Sequence, residues 1–327
     1  MRAFTLPLRC VLLAVALTAS TLLCAQPHGY SINSRGFESD DTRVGALWQI
    51  NLATGEDEYI GWTARGDFTD IEGLAFDSED RLFGIDDDQN TLLRIGTSTG
   101  NAIAVGGTVG NTGIPIGTKM DFGMTFTCEG DLLVSSAATS ELFFADIQTG
   151  ELAPVGDMGV RIVDLASVGD VVYGIGLGTD GDGNPVAPNL YRVDPADGSV
   201  DLIGALGDQA RPYNQAGLAA DAEGQLWAIT DRNRVFGDSD TEARPSEILK
   251  IDPETGRADR VAETIVGIES LAIAPPAQCD THDGGGRDEH ATGIDAEPVP
   301  SMSAAGRWAM VLLLAGLAVW RLRPLQS

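Results

Sequence analysis

Apolar positions between Gln26 and Pro276 follow no helical period. They come in short runs broken by Gly, Asp, Thr and Asn, the pattern of strands and turns. Five runs close on a Thr-Gly or Asp-Gly pair, at Leu47–Gly55, Leu92–Gly100, Leu142–Gly150, Leu190–Gly198 and Ile248–Gly256, and their glycines lie 45, 50, 48 and 58 residues apart. An apolar stretch, a glycine able to take positive φ and a further stretch predict a hairpin at each place.

A second recurrence stands upstream of the turns. Gly73–Asp77, Gly123–Thr127, Asp164–Val168, Gly217–Asp221 and Ser270–Ala274 share one frame, in which Gly-Leu-Ala is the commonest opening. The first four lead through tight turns into Leu82–Ile85, Leu132–Ser135, Val171–Ile175 and Leu226–Ile229. Each unit is then four short strands, A to D. Units of this length that bury an apolar face only by stacking on their neighbours match propeller blades.

The ends of the series supply closure. The fifth A strand, Ser270–Ala274, has no B, C or D after it, whereas Tyr30–Asn33, Leu47–Leu52 and Glu58–Gly61 offer those three strands near the N-terminus. The expectation is an all-β propeller of about five four-stranded blades over residues 26–276, closed by pairing N-terminal strands with the last inner strand. An open solenoid or two stacked sandwiches would leave these complementary halves unexplained. The repeats resemble those of secreted bacterial β-propeller proteins of unassigned function, a resemblance that implies the fold alone.

Both ends read as targeting segments. Residues 1–25 carry Arg2 and Arg9, the apolar run Val11–Leu23 and a small residue, Ala25, before Gln26, as a secretory signal peptide does. An acidic, Gly-rich linker spans 277–301. Within 302–327, Trp308–Trp320 is uncharged and flanked by Arg307, Arg321 and Arg323. It is short for a membrane span, which needs roughly 17–25 residues, but tryptophans and arginines at its ends favour insertion with the basic end inside. Val299-Pro-Ser-Met302, the apolar run and Arg-Leu-Arg resemble the C-terminal sorting tails of the IPTL-CTERM and PEP-CTERM class. That resemblance implies transient anchoring in the membrane and recognition by a sorting peptidase, hence an exported protein of the cell envelope or surface, anchored or released.

Charge narrows the partners. The net charge is −27, and no Asp or Glu lies in the signal or the tail, so the acids crowd the segment between them. Such a surface repels nucleic acid and anionic lipid heads and favours cations. In a blade the B–C loops and D–A links share one face. Here they include the long stretches 35–45, 178–188 and 231–244, so this face is the expected binding face. Just upstream of the A strands stand Asp70 and Glu72, Asp121, Asp164, Asn214 and Gln215, and Glu269, each expected at the mouth of the central channel. Converging carboxylates without His or thiolate suit Ca²⁺ or a similar hard cation, or a small polar surface ligand. A hydrated polar mouth that binds nothing specific is the better reading of them. Asp180, Asp182 and Asn184 have the spacing that begins a Ca²⁺ loop, but Tyr191 stands where the bidentate acid belongs, and a solvated turn is the better reading. Asp86-Asp87-Asp88 reads the same way.

Catalysis finds few players. Between signal and linker the only histidine is His28, so histidine-assisted hydrolysis has no base. A carboxylate- or metal-dependent hydrolase of glycosidase or lactonase type, sited at the channel mouth, stays as the alternative to a binding or structural module. Cys128 and Cys279, the cysteines outside the signal, can pair in an exported compartment and lock the closing blade.

Overall fold

The computed structural model describes residues 27–34, 44–63, 68–177, 186–232, 244–276 and 279. The strand-turn-strand pattern folds as the sequence predicts. Gly55, Gly100, Gly150, Gly198 and Gly256 all take positive φ, between 71° and 89°. Each donates its amide to the carbonyl four residues back, as Gly150 does to Asp146 at 2.7 Å, so the five C–D hairpins are built alike.

Among the described residues, twenty strands form five antiparallel sheets of four. The second blade runs from the axis outward as β4 (Ile71–Phe76), β5 (Leu82–Asp86), β6 (Thr91–Ile95) and β7 (Ala102–Ala104). The third has β8 (Phe122–Phe126), β9 (Leu132–Ser136), β10 (Glu141–Ala145) and β11 (Leu152–Asp157). The fourth has β12 (Ile162–Val168), β13 (Val171–Gly176), β14 (Asn189–Val193) and β15 (Val200–Ala205), and the fifth β16 (Gln215–Ala220), β17 (Leu226–Asp231), β18 (Pro245–Ile251) and β19 (Ala258–Val266). The first blade is composite. Its outer strands are β1 (His28–Ile32), β2 (Ala46–Asn51) and β3 (Asp57–Trp62), and its inner strand is β20 (Ala272–Ile273), from the far end of the fold. Gly29 pairs with Ile273 and Tyr30 with Ala272, which joins the two ends of the ring as the half-units foretold.

The core lies between the blades. Leu74 and Ile71 of the second blade pack with Ile32 and Leu47 of the first; Phe122 and Met124 of the third pack with Phe83 and Ile85 of the second. The inner strands approach so closely that the first frame position tolerates little bulk. A Cβ on Gly123 would lie 2.3 Å from Asp164 Cα, and one on Gly217 2.3 Å from Leu271 N. Where the frame carries a side chain, it bonds the neighbouring strands. Ser270 Oγ accepts Ile32 N at 3.1 Å. Asp164 Oδ1 accepts Met124 N at 2.8 Å and Leu165 N at 2.9 Å, and its Oδ2 accepts Leu218 N at 2.6 Å, so one carboxylate ties β8, β12 and β16 together. Cys128, in the A–B turn of the third blade, and Cys279, beyond β20, form a disulfide.

Candidate carboxylate centre on the axis

Parallel inner strands repeat the same frame at the same height, which brings the residues upstream of each frame together at the loop-face end of the axis. Asp70, Glu72 and Glu269 lie with one ligand oxygen each within 4.8 Å of the others, and so do Glu72, Asp87 and Asp121. Local geometry aims these groups inward. The pairing of β4 with β5 shifts register between Ile71 and Gly73, so Glu72 occupies a β-bulge, a device that re-aims a side chain. Asp121 takes φ +51°, left-handed backbone that breaks the strand just before β8.

Hydrogen bonds fix the cluster without saturating it. Glu72 Oε2 accepts Phe122 N at 2.8 Å, and Asp87 Oδ1 accepts Met120 N at 2.7 Å. Glu72 is 1 % exposed, and its Oε1 meets no hydrogen-bond donor among the described residues. Asp87 is wholly buried, and Lys119 Nζ stands 3.3 Å from its Oδ2. The same ammonium bonds Asp70 and the half-exposed Asp88. Burial and the charges of Asp87, Glu269, Asp70 and Asp121 push the Glu72 carboxyl well above the ordinary range. Burial also raises Asp87, against the amide of Met120 and the charge of Lys119. Burial lowers the Lys119 pKa, but hydrogen bonds to Asp70 and Asp88 outweigh it and raise the pKa. A largely buried cluster of carboxylate oxygens, with the Lys119 ammonium at its edge and the Arg161 guanidinium 3.9 Å from Asp121 Oδ2, is a setting for a hard cation.

Four of the seven predicted channel-mouth residues, Asp70, Glu72, Asp121 and Glu269, therefore meet. Asp164 does not join them, because both of its oxygens are committed to backbone amides. It occupies the position of Gly73 in the frame, one residue beyond that of Glu72, and so points elsewhere. Asn214 is half-buried ahead of β16 and donates its amide to Asp231 O. Gln215 is buried, with Oε1 meeting no donor among the described residues. Asp180, Asp182 and Asn184 lie outside the described residues, as do the signal, linker and tail segments except for Cys279. Among the described residues no helix is long and apolar enough to cross a membrane.

The Asp86-Asp87-Asp88 run corrects the sequence reading. It is not a solvated turn, since Asp86 and Asp87 are fully buried. Asp86 accepts Asp70 N at 3.2 Å and Gln89 N at 2.7 Å, organising the B–C loop that delivers Asp87 to the axis. Lys119 also escaped the sequence reading. At the opposite end of the inner strands a cavity of 650 Å³ opens on the tight-turn face, lined by Leu74, Met124, Leu165, Leu218 and Leu271, the second frame position of every blade, and flanked by the disulfide.

The model of a repeat family of unknown function (DUF6923) matches residues 37–219, from ahead of β2 into β16. The chain belongs to this repeat family. No curated protein matches it. Among solved structures, a protein of unknown function from Bacteroides caccae is similar at 13% identity and a TM-score of 0.44, over 76% of this chain and 98% of that one. Virginiamycin B lyase from Staphylococcus aureus is similar at 12% identity and a TM-score of 0.38, over 66% of this chain. The chain spans 62% of the lyase's length.

Proposed function

We propose that the chain is an exported binding or structural β-propeller whose loop-face axis takes a hard divalent cation, Ca²⁺ foremost, through Asp70, Glu72, Asp87, Asp121 and Glu269. One observation carries this reading: a buried glutamate in a β-bulge keeps an oxygen without a donor among the described residues, while other carboxylates lie close to it. Leaving such an oxygen bare in the interior is costly, and a cation or a proton must complete it. Basic residues ahead of an apolar N-terminal run support export, and the uncharged Trp308–Trp320 segment supports transient anchoring by the tail. A bound cation would stiffen three adjacent blades on the face where the long loops stand ready for a surface ligand.

Thermal unfolding of the purified chain with and without Ca²⁺ tests the reading. Saturation at a hundred times Kd stabilises by about 2.7 kcal/mol, which raises Tm by roughly 5–10 °C in a domain of this size. An unchanged Tm up to millimolar Ca²⁺ overturns it.

A further inference from the structure

We infer that the axial centre holds two divalent cations, with Glu72 as the carboxylate shared between them. This rests on the cation-binding reading above and makes it specific. The five carboxylates do not form one compact ligand set. They fall into two triads, Asp70–Glu72–Glu269 and Glu72–Asp87–Asp121, and only Glu72 belongs to both. Within each triad the ligand oxygens lie within 4.8 Å of one another. That span is about twice a Ca²⁺–oxygen distance, the most that ligands on opposite sides of one ion can have. Each triad therefore fits around one ion, whereas one ion would not reach all five carboxylates.

The surroundings suit a shared ligand. Phe122 N holds Glu72 Oε2 at 2.8 Å and leaves Oε1 without a donor among the described residues. Oxygens of Asp70 and Asp87, one residue from each triad, converge on Lys119 Nζ, so the ammonium borders both halves. Paired ions clamped by shared ligands are a recurrent arrangement.

Titration calorimetry of the full chain with Ca²⁺ reads the number of tight sites, and electron paramagnetic resonance of the Mn²⁺-loaded protein reads whether two ions are coupled. The expected result is two tight sites and an exchange-coupled Mn²⁺ spectrum. Glu269→Gln and Asp121→Asn, which each touch one triad, should each leave one site; Asn tolerates the left-handed backbone at position 121. Glu72→Gln, which can still accept the Phe122 amide, should weaken both sites at least a hundredfold. Two sites in the native chain with an uncoupled spectrum, or a Glu72→Gln protein that keeps one tight site, overturn the shared ligand. A single site in the native chain overturns the pair and leaves the cation reading standing. No tight site overturns both.

Discussion

Asp164 shows how much one carboxylate can do in a propeller axis. Its oxygens accept the amides of Met124, Leu165 and Leu218, from three successive inner strands. Asp164→Ala would bury three amides without acceptors, each worth about 1–3 kcal/mol, so we expect a loss of about 3–5 kcal/mol in urea unfolding. Its protonation has a definite sign. Burial raises the Asp164 pKa well above the usual value, against the pull of the three amides. The native state then keeps a proton that the unfolded chain releases near pH 4, and stability falls as pH rises from there towards the native pKa. Asp164→Asn removes that titration, so its stability should decline less steeply than that of the native chain above pH 4, measured by urea unfolding across pH. Lys119 works in the other direction, as a tethered cation beside the carboxylate centre. Lys119→Met removes a charge that repels an incoming ion and should tighten Ca²⁺ binding about tenfold by calorimetry, a change of about 1.4 kcal/mol.

At the level of the strand, the shared frame sets both packing and chemistry. Its opening glycine exists because neighbouring inner strands nearly touch: a Cβ on Gly123 would meet Val163 O at 2.5 Å as well as Asp164 Cα. These are backbone atoms that cannot swing aside, so Gly123→Ala should cost about 3 kcal/mol, the upper end for overpacking, as a lower urea midpoint with an unchanged slope. Turn glycines and the frame were readable in the sequence because local backbone demands set them, and the split blade was readable because its halves are complementary. The centre was readable only where the frame alone decides position, at Asp70, Glu72, Asp121 and Glu269. Asp87 was hidden because three consecutive aspartates look like a solvated turn until Asp86 is seen folding the loop inward. Lys119 was hidden because its contacts are made across blades. Asp164 was misplaced by one frame position, and in a strand one residue is enough to turn a side chain from the channel into the gap left by flanking glycines.

For the whole ring, stability turns on the closing blade, whose inner strand is the shortest of the described strands. β20 has two residues, and only Gly29–Ile273 and Tyr30–Ala272 pair it with β1. An isolated bridge between Asn33 and Ile268, and Asn33 Nδ2 donating to Val266 O at 2.6 Å, extend the seam at the other end. The disulfide clamps the chain just past this weak ladder, linking residues 151 apart in sequence. A closed loop of that length restricts the unfolded chain strongly, and losing the bond costs about 2–5 kcal/mol in comparable cases. Its position adds a local effect. Without the bond, β20 is held at its C-terminal side by two residue pairs alone and should fray before the other blades open. The Cys128→Ser, Cys279→Ser chain should therefore show a lower urea midpoint and, in native-state hydrogen exchange, a selective loss of protection at residues 29–32 and 272–273. Uniform loss of protection across all five blades would place the whole effect in the unfolded chain and leave ring closure to the strand pairing itself.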